Sequence, residues 1–283
     1  MYGMKIGLAA LESFGAPIGE QIRIFAKAGF EAFSTMLVSD EEHAEYRRIA
    51  DDLGMKYEYI HAPFHKASRM WSDGAEEAVA ELIGCVDVCA KYGVPTMVAH
   101  TYIGFVDEHI SSDLKIGVEN YKRVVDHAAS LGVKVAFENT EGERYLATLM
   151  DAFSGYSNVG FCWDTGHQMC YNFDKDMSEI YGDRLLVTHL NDNLGVRSFD
   201  GTITWHDDLH LLPFDGIGDF DAIARGIARS APIDVLMFEL SKSSKPDRHE
   251  NDKYKKLSLE EYVAEAYARA CRVARLVMCH RGH

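Results

Sequence analysis

Positive charge is scarce in this chain, and what exists is scattered. The 283 residues carry 29 Lys and Arg against 44 Asp and Glu, a net charge of −15. Nucleic acids and anionic membranes are gripped by clustered cations, so neither is expected as a partner. Cysteine is sparse too. Cys85, Cys89, Cys162, Cys170, Cys271 and Cys279 form no Cys-x-x-Cys pair and no dense framework. That pattern fits reduced thiols and a cytoplasmic location. Cys85 and Cys89 stand one helical turn apart, as on a buried helix face. No apolar run approaches the roughly 18 residues of a membrane span. The first ten residues lack a basic segment and a long apolar core, so no signal peptide is expected. No Gly-x-Gly-x-x-Gly follows the first expected strand, which removes the usual mark of dinucleotide binding. No linker divides the chain. The highly charged stretch 241–256 reads as a flap or a solvated surface loop.

What is present is alternation. Hydrophobic residues make up 47% of the chain, enough for a sizeable core. Short apolar or β-branched runs predict strands at 5–8, 31–36, 57–61, 96–100, 134–138, 159–164, 185–191 and 234–239. Such runs read as buried parallel strands. Helices are expected near 20–28, 40–53, 76–92, 112–131, 144–153, 175–181, 219–229 and 258–278. Gly93 and Gly132 close two of them. A long excursion, 192–218, follows the seventh strand. Eight strand–helix units with right-handed crossovers predict a (β/α)8 TIM barrel, α/β in class, spanning 1–283 as a single domain. About 250 residues suffice for one such barrel. An open doubly wound sheet is the rival, and the count of eight disfavours it.

Barrels of this kind place their active sites at the C-terminal ends of the strands. His61, His100, Glu138, Asp164, His189 and Glu239 end the third to the eighth strand in succession. Singly, each has an ordinary explanation. Glu138 is able to cap a turn, Asp164 to cap the next helix, His189 to sit satisfied in the core, and Glu239 to pair with Lys242. Six in succession are harder to attribute to packing, because a buried carboxylate or imidazole is costly without a partner. Glu138, Asp164, His189 and Glu239 together form an oxygen–nitrogen site for one divalent ion: Mn²⁺, Mg²⁺, Co²⁺ or Zn²⁺. His61 and His100 are substrate hydrogen-bonders, ligands of a second metal, or structural. A second cluster comprises His167, Asp208 and His210, with Gly216-Ile217-Gly218 beyond. It either reaches a cation or orders the seventh crossover. Trp163, Trp205 and Phe214 offer apolar walls, though Trp163 suits the core equally. Arg197 offers a contact to a hydroxyl or a phosphate.

The order of these strings is distinctive: Glu138-Asn139-Thr140, Asp164-Thr165-Gly166-His167, His189-Leu190-Asn191-Asp192-Asn193, Asp208-Leu209-His210 with its Gly-x-Gly, then Phe238-Glu239-Leu240. It resembles the xylose isomerase-like barrel superfamily along essentially the whole chain. That group holds sugar isomerases, ketose 3-epimerases, hydroxypyruvate isomerases, inosose dehydratases and zinc-dependent apurinic endonucleases. The epimerase branch implies one divalent metal on Glu138, Asp164, His189 and Glu239, with Glu138 and Glu239 as the acid–base pair. The reaction it implies is proton transfer in a small ketose or hydroxycarbonyl sugar through a metal-stabilised enediolate, in an enzyme often found as a homo-oligomer. The endonuclease branch implies nine ligands for three zincs: His61, His100, Glu138, Asp164, His167, His189, Asp208, His210 and Glu239. All nine residue types are present. The acidic charge, the near absence of Arg and Lys in the loops around 12–15 and 37–40, and the sugar-branch look of 208–213 favour the sugar reading. An endonuclease, a dehydratase or lyase of the same superfamily, and a non-catalytic sugar-binding relative are the alternatives.

Overall fold

The computed structural model describes residues 3–105, 111–173 and 175–282. Of the ten residues read for a signal peptide, the first two lie outside this description. Eight strands alternate with helices: β1 Lys5–Ala9, α1 Ile18–Ala28, β2 Ala32–Met36, α2 Asp40–Leu53, β3 Lys56–His61, α3 Glu76–Lys91, β4 Thr96–His100, α4 Lys115–Ser130, β5 Lys134–Glu138, α5 Glu143–Ala152 and β6 Val159–Asp164. A helical turn α6 (Thr165–His167), a π-helical turn (Gln168–Asn172) and a short α7 (Met177–Tyr181) lead to β7 Leu185–His189. Then come α8 Phe220–Arg229, β8 Val235–Phe238 and α9 Leu259–Arg281. The expected eight strands are all present. The helix expected at 175–181 is shorter than predicted, and the turns that precede it carried no periodic signal.

The strands are parallel, in the order β7-β6-β5-β4-β3-β2-β1-β8. The ring closes through the chain just past β7. Leu190 bridges Phe238 in parallel fashion, and its N–H donates to the Met237 carbonyl at 2.9 Å. This is a (β/α)8 barrel. Its core lies in two places. A large cluster fills the space between strands and helices. A small one, Ala32, Tyr59, Val98, Ala136, Cys162, Val187, Val235 and Met237, fills the lumen. Side chains alternate between these two along each strand, which explains strands buried on both faces. Cys85 and Cys89 are buried on α3 as their spacing predicts. Among the described residues no helix is long and apolar enough to cross a membrane.

Parallel register delivers the site. His100 lies beside Glu138 across β4–β5, and Asp164 beside His189 across β6–β7. Glu239 falls one residue past β8, where its N–H donates to the Leu190 carbonyl at 3.3 Å. Strand ends adjacent in the barrel wall therefore present their terminal side chains at one mouth.

Candidate metal centre

Glu138 is the hub. It is fully buried, and imidazoles crowd both of its oxygens. Oε1 lies 3.1 Å from His189 Nδ1 and 3.2 Å from His167 Nδ1. Oε2 lies 3.2 Å from His61 Nε2 and 3.4 Å from His100 Nε2. Burial alone would raise its pKa, but His189 and His100 outweigh burial and hold the carboxyl well below the ordinary range. His189 Nδ1 also lies 2.8 Å from Glu239 Oε2 and 3.8 Å from Asp164 Oδ2. Burial opposes charge on His189, yet Cys162 and Tyr59, followed by Glu138 and Glu239, raise its pKa well above the usual value. Burial also opposes charge on Glu239, whose carboxyl the His189 imidazole brings down to about 2. Asp164 is the exception: burial keeps its pKa raised despite His167 and His210.

The donor atoms fall into overlapping groups, each with members within 4.8 Å of one another: Glu138, Asp164, His189 and Glu239; His61, His100 and Glu138; and Asp164, His167 and His210. Asp208 joins the last group, with Oδ2 2.7 Å from His210 Nε2 and 3.6 Å from His167 Nε2. The nine residues singled out at strand ends and in the second cluster thus converge. Arg197 does not. Its guanidinium donates to the Asp247 carbonyl at 3.1 Å. Glu239 pairs with His189, not with Lys242 as its ordinary explanation supposed. Trp163 is buried in the core, where Nε1 donates to Gln168 Oε1 at 2.8 Å. Phe214 packs on Phe220.

The first group fits a divalent cation. Three carboxylates and one imidazole, from four different strand ends, approach a common point at a spacing matched by bonds of about 2.0–2.2 Å to one ion. Such oxygens repel one another when buried, and an ion relieves that cost. Asp164 is held ready for it. Its Oδ1 accepts the His167 N–H at 2.7 Å, so it does cap α6. Asn191 Nδ2 donates to both of its oxygens at 3.2 and 3.1 Å.

Residues beside the ligands, passed over in the sequence, do much of this ordering. Asn139 Oδ1 accepts the Asp164 N–H at 2.8 Å, and its Nδ2 donates to the Asp164 carbonyl at 2.9 Å. Asn139 thereby extends the β5–β6 ladder by one side chain. Gly166 explains itself: a Cβ there would lie 2.0 Å from Asn191 Oδ1. Asp192 accepts the N–H groups of Gly216 and Gly218 at 2.8 and 2.9 Å and so pins the long excursion after β7.

A cavity of about 480 Å³ opens on this cluster at His100, His167 and Asp208. Its walls are aromatic: Phe64, Phe105, Tyr171 and Trp205, with Ile103 between. Lys245, from the loop between β8 and α9, completes the rim. The volume lies within the usual range for small-molecule sites.

The fold and the site define a class: a (β/α)8 barrel with a buried carboxylate–imidazole cluster, a candidate metal site, at its C-terminal mouth. Comparison with known proteins gives the family. Residues 22–262 match the xylose isomerase-like TIM barrel family model, and the chain belongs to that family. An uncharacterised protein, y4fM, of Sinorhizobium fredii is 30% identical over 89% of this chain and 92% of its own length. A probable endonuclease 4 of Cenarchaeum symbiosum is 26% identical over 47% of this chain and 54% of its own length. Among solved structures, an IolI protein with a bound zinc atom superposes with a TM-score of 0.69 at 19% identity, covering 96% of this chain and 98% of that one. An L-ribulose 3-epimerase superposes with a TM-score of 0.67 at 16% identity, covering 97% and 98%. At those identities the structural likeness speaks for the fold.

Proposed function

We propose that this protein is a divalent-metal-dependent isomerase or epimerase of a small ketose or related hydroxycarbonyl sugar. The convergence of Glu138, Asp164, His189 and Glu239 on one point carries this reading, together with an aromatic-walled cavity that reaches their neighbours His100 and His167. A bound ion would supply Lewis-acid polarisation of the substrate carbonyl and stabilise negative charge on the enediolate. Glu138, Asp164, His189 and Glu239 would hold it. The chain's own residues do the rest. Proton transfer at the α carbon needs a carboxylate with a free oxygen facing the substrate. Glu239 meets that need. Its side chain keeps 13% exposure and has a single imidazole partner, whereas Glu138 is 1% exposed with four imidazoles around it. Glu239 takes the proton, and Glu138, first given one at Oε2 by the adjoining imidazole of His61 or His100, returns it to the carbon. Phe64 and Trp205 pack on the sugar's C–H faces and exclude water.

Solvent deuterium wash-in at the α carbon tests this directly, with a panel of ketoses and inositol-type ketones as substrates. The metal-loaded wild type exchanges. Glu239→Gln and Glu138→Gln lose exchange by about 10²–10⁴-fold, the usual worth of a positioned acid or base. Wild-type exchange in both variants contradicts the scheme.

A second reading, a zinc-dependent endonuclease acting on abasic DNA, rests on the presence of all nine donors and on the similarity to the probable endonuclease 4. The net charge of −15 weighs against it, since a phosphate backbone calls for a cationic footprint. Cleavage of an abasic-site duplex, without proton exchange in any sugar, would favour it.

A further inference from the structure

Asp208 Oδ2 is contested by three groups. Besides the imidazoles of His210 and His167, the ammonium of Lys245 lies 3.5 Å away. Lys245 is the sole ammonium or guanidinium among the described residues lining the cavity. Its side chain is 24% exposed, and its Nζ stands 5.5 Å from the Trp205 ring centroid. An ion pair from one side and an aromatic face from the other keep it there. The loop beneath it is tied down. The buried Arg248 pairs with Asp207 at 3.0 Å and donates to the His206 carbonyl at 3.0 Å. Asn251 donates to the carbonyls of Leu209 and Ser241 at 3.2 and 2.7 Å. The segment carrying Lys245 is thus stitched to the segment carrying Asp208.

We infer that Lys245 is a built-in cation that neutralises the Asp208–His167–His210 group and keeps metal out of it. A divalent ion bonded there would stand beside a fixed ammonium in a site poor in solvent screening, and like charges at that range repel strongly. The residue types of a third metal site are all present, but so is a competitor supplied by the chain. Ions are then confined to the donor groups that share Glu138. His167 and His210 stay free of metal, and His167 faces the cavity as a hydrogen-bonding group for a substrate. This inference is independent of the reaction catalysed, because it concerns how many ions bind and where.

Metal counting tests it. The full-length apoprotein is loaded with excess Zn²⁺, freed of unbound ion, and its zinc measured by elemental analysis. Wild type retains no more than two ions per chain. Lys245→Met, which keeps the apolar stem and removes the charge, retains one more than wild type. Lys245→Arg keeps the wild-type count. So does Lys253→Met, whose ammonium instead pairs with Asp215 at 3.0 Å. Three ions in wild type overturn the inference even if no variant folds. An unchanged count in a folded Lys245→Met also overturns it.

Discussion

His43 shows how a single protonation state is written into this fold. The ring is fully buried on α2. Its Nε2 accepts the Val38 N–H at 3.1 Å, and its Nδ1 donates to the Tyr57 hydroxyl oxygen at 3.0 Å. Only neutral imidazole can do both. Burial lowers its pKa, against the pull of Glu42 and Asp40. A lowered histidine pKa gives stability that is whole above the unfolded value of about 6.5 and is lost as pH falls through the folded one. The melting temperature of wild type is therefore expected to fall more steeply below about pH 6.5 than that of His43→Gln. Parallel curves would remove His43 as the cause. At this scale the donors of the candidate site were legible and their supports were not. Glu138 and Asp164 stand out in sequence because a carboxylate closing an apolar run is anomalous. Asn139, Asn191 and Lys245 do not, because a neutral amide or a surface-type lysine is ordinary anywhere. Their roles depend on backbone and side chains distant in the chain, as when Asn191 reaches Asp164.

Elements are specified by pattern where they face the core and by close contact where they meet each other. The runs at β5 and β6 are buried throughout apart from Lys134, so their apolar sequence announced them. The 3-10 turn at Ala67–Trp71 was invisible by comparison, yet it shapes the packing of α4. Trp71 is fully buried, with Nε1 donating to the Thr101 carbonyl at 2.7 Å. Gly117 on α4 lets the helix come this near: a Cβ there would sit 2.1 Å from Trp71 Cε3. Gly117→Ala is expected to destabilise by about 1–3 kcal/mol, the usual cost of overpacking. Gly84 on α3 is the internal control, since nothing lies within 4 Å of its notional Cβ. Gly84→Ala is expected to stabilise by about 0.5–1 kcal/mol through helix propensity. Chemical denaturation of the two variants separates the cases, and similar effects in both would refute the role given to packing. The segments after β7 and β8 stayed unreadable for a related reason. Polar pairs such as Arg248 with Asp207 hold them, and such pairs leave no periodic trace.

The molecule as a whole reads as a barrel whose wall is generic and whose mouth is particular. Eight repeats and the length were enough to predict the architecture. Convergence of donor side chains from β5 to β8 follows from that architecture once the strand ends are known. What pattern alone did not fix is which donors share an ion, because residues of one type serve as ligand, cap and hydrogen-bond partner alike. Asp164 does this twice over, as cap of α6 and as member of the four-donor group. The most direct measurement of the central claim is an anomalous difference map from crystals of the Mn²⁺- or Zn²⁺-loaded protein. A peak is expected, bonded at about 2.0–2.2 Å to Glu138, Asp164, His189 and Glu239. A map in which these four side chains keep their direct pairing with one another, with no ion among them, would contradict it.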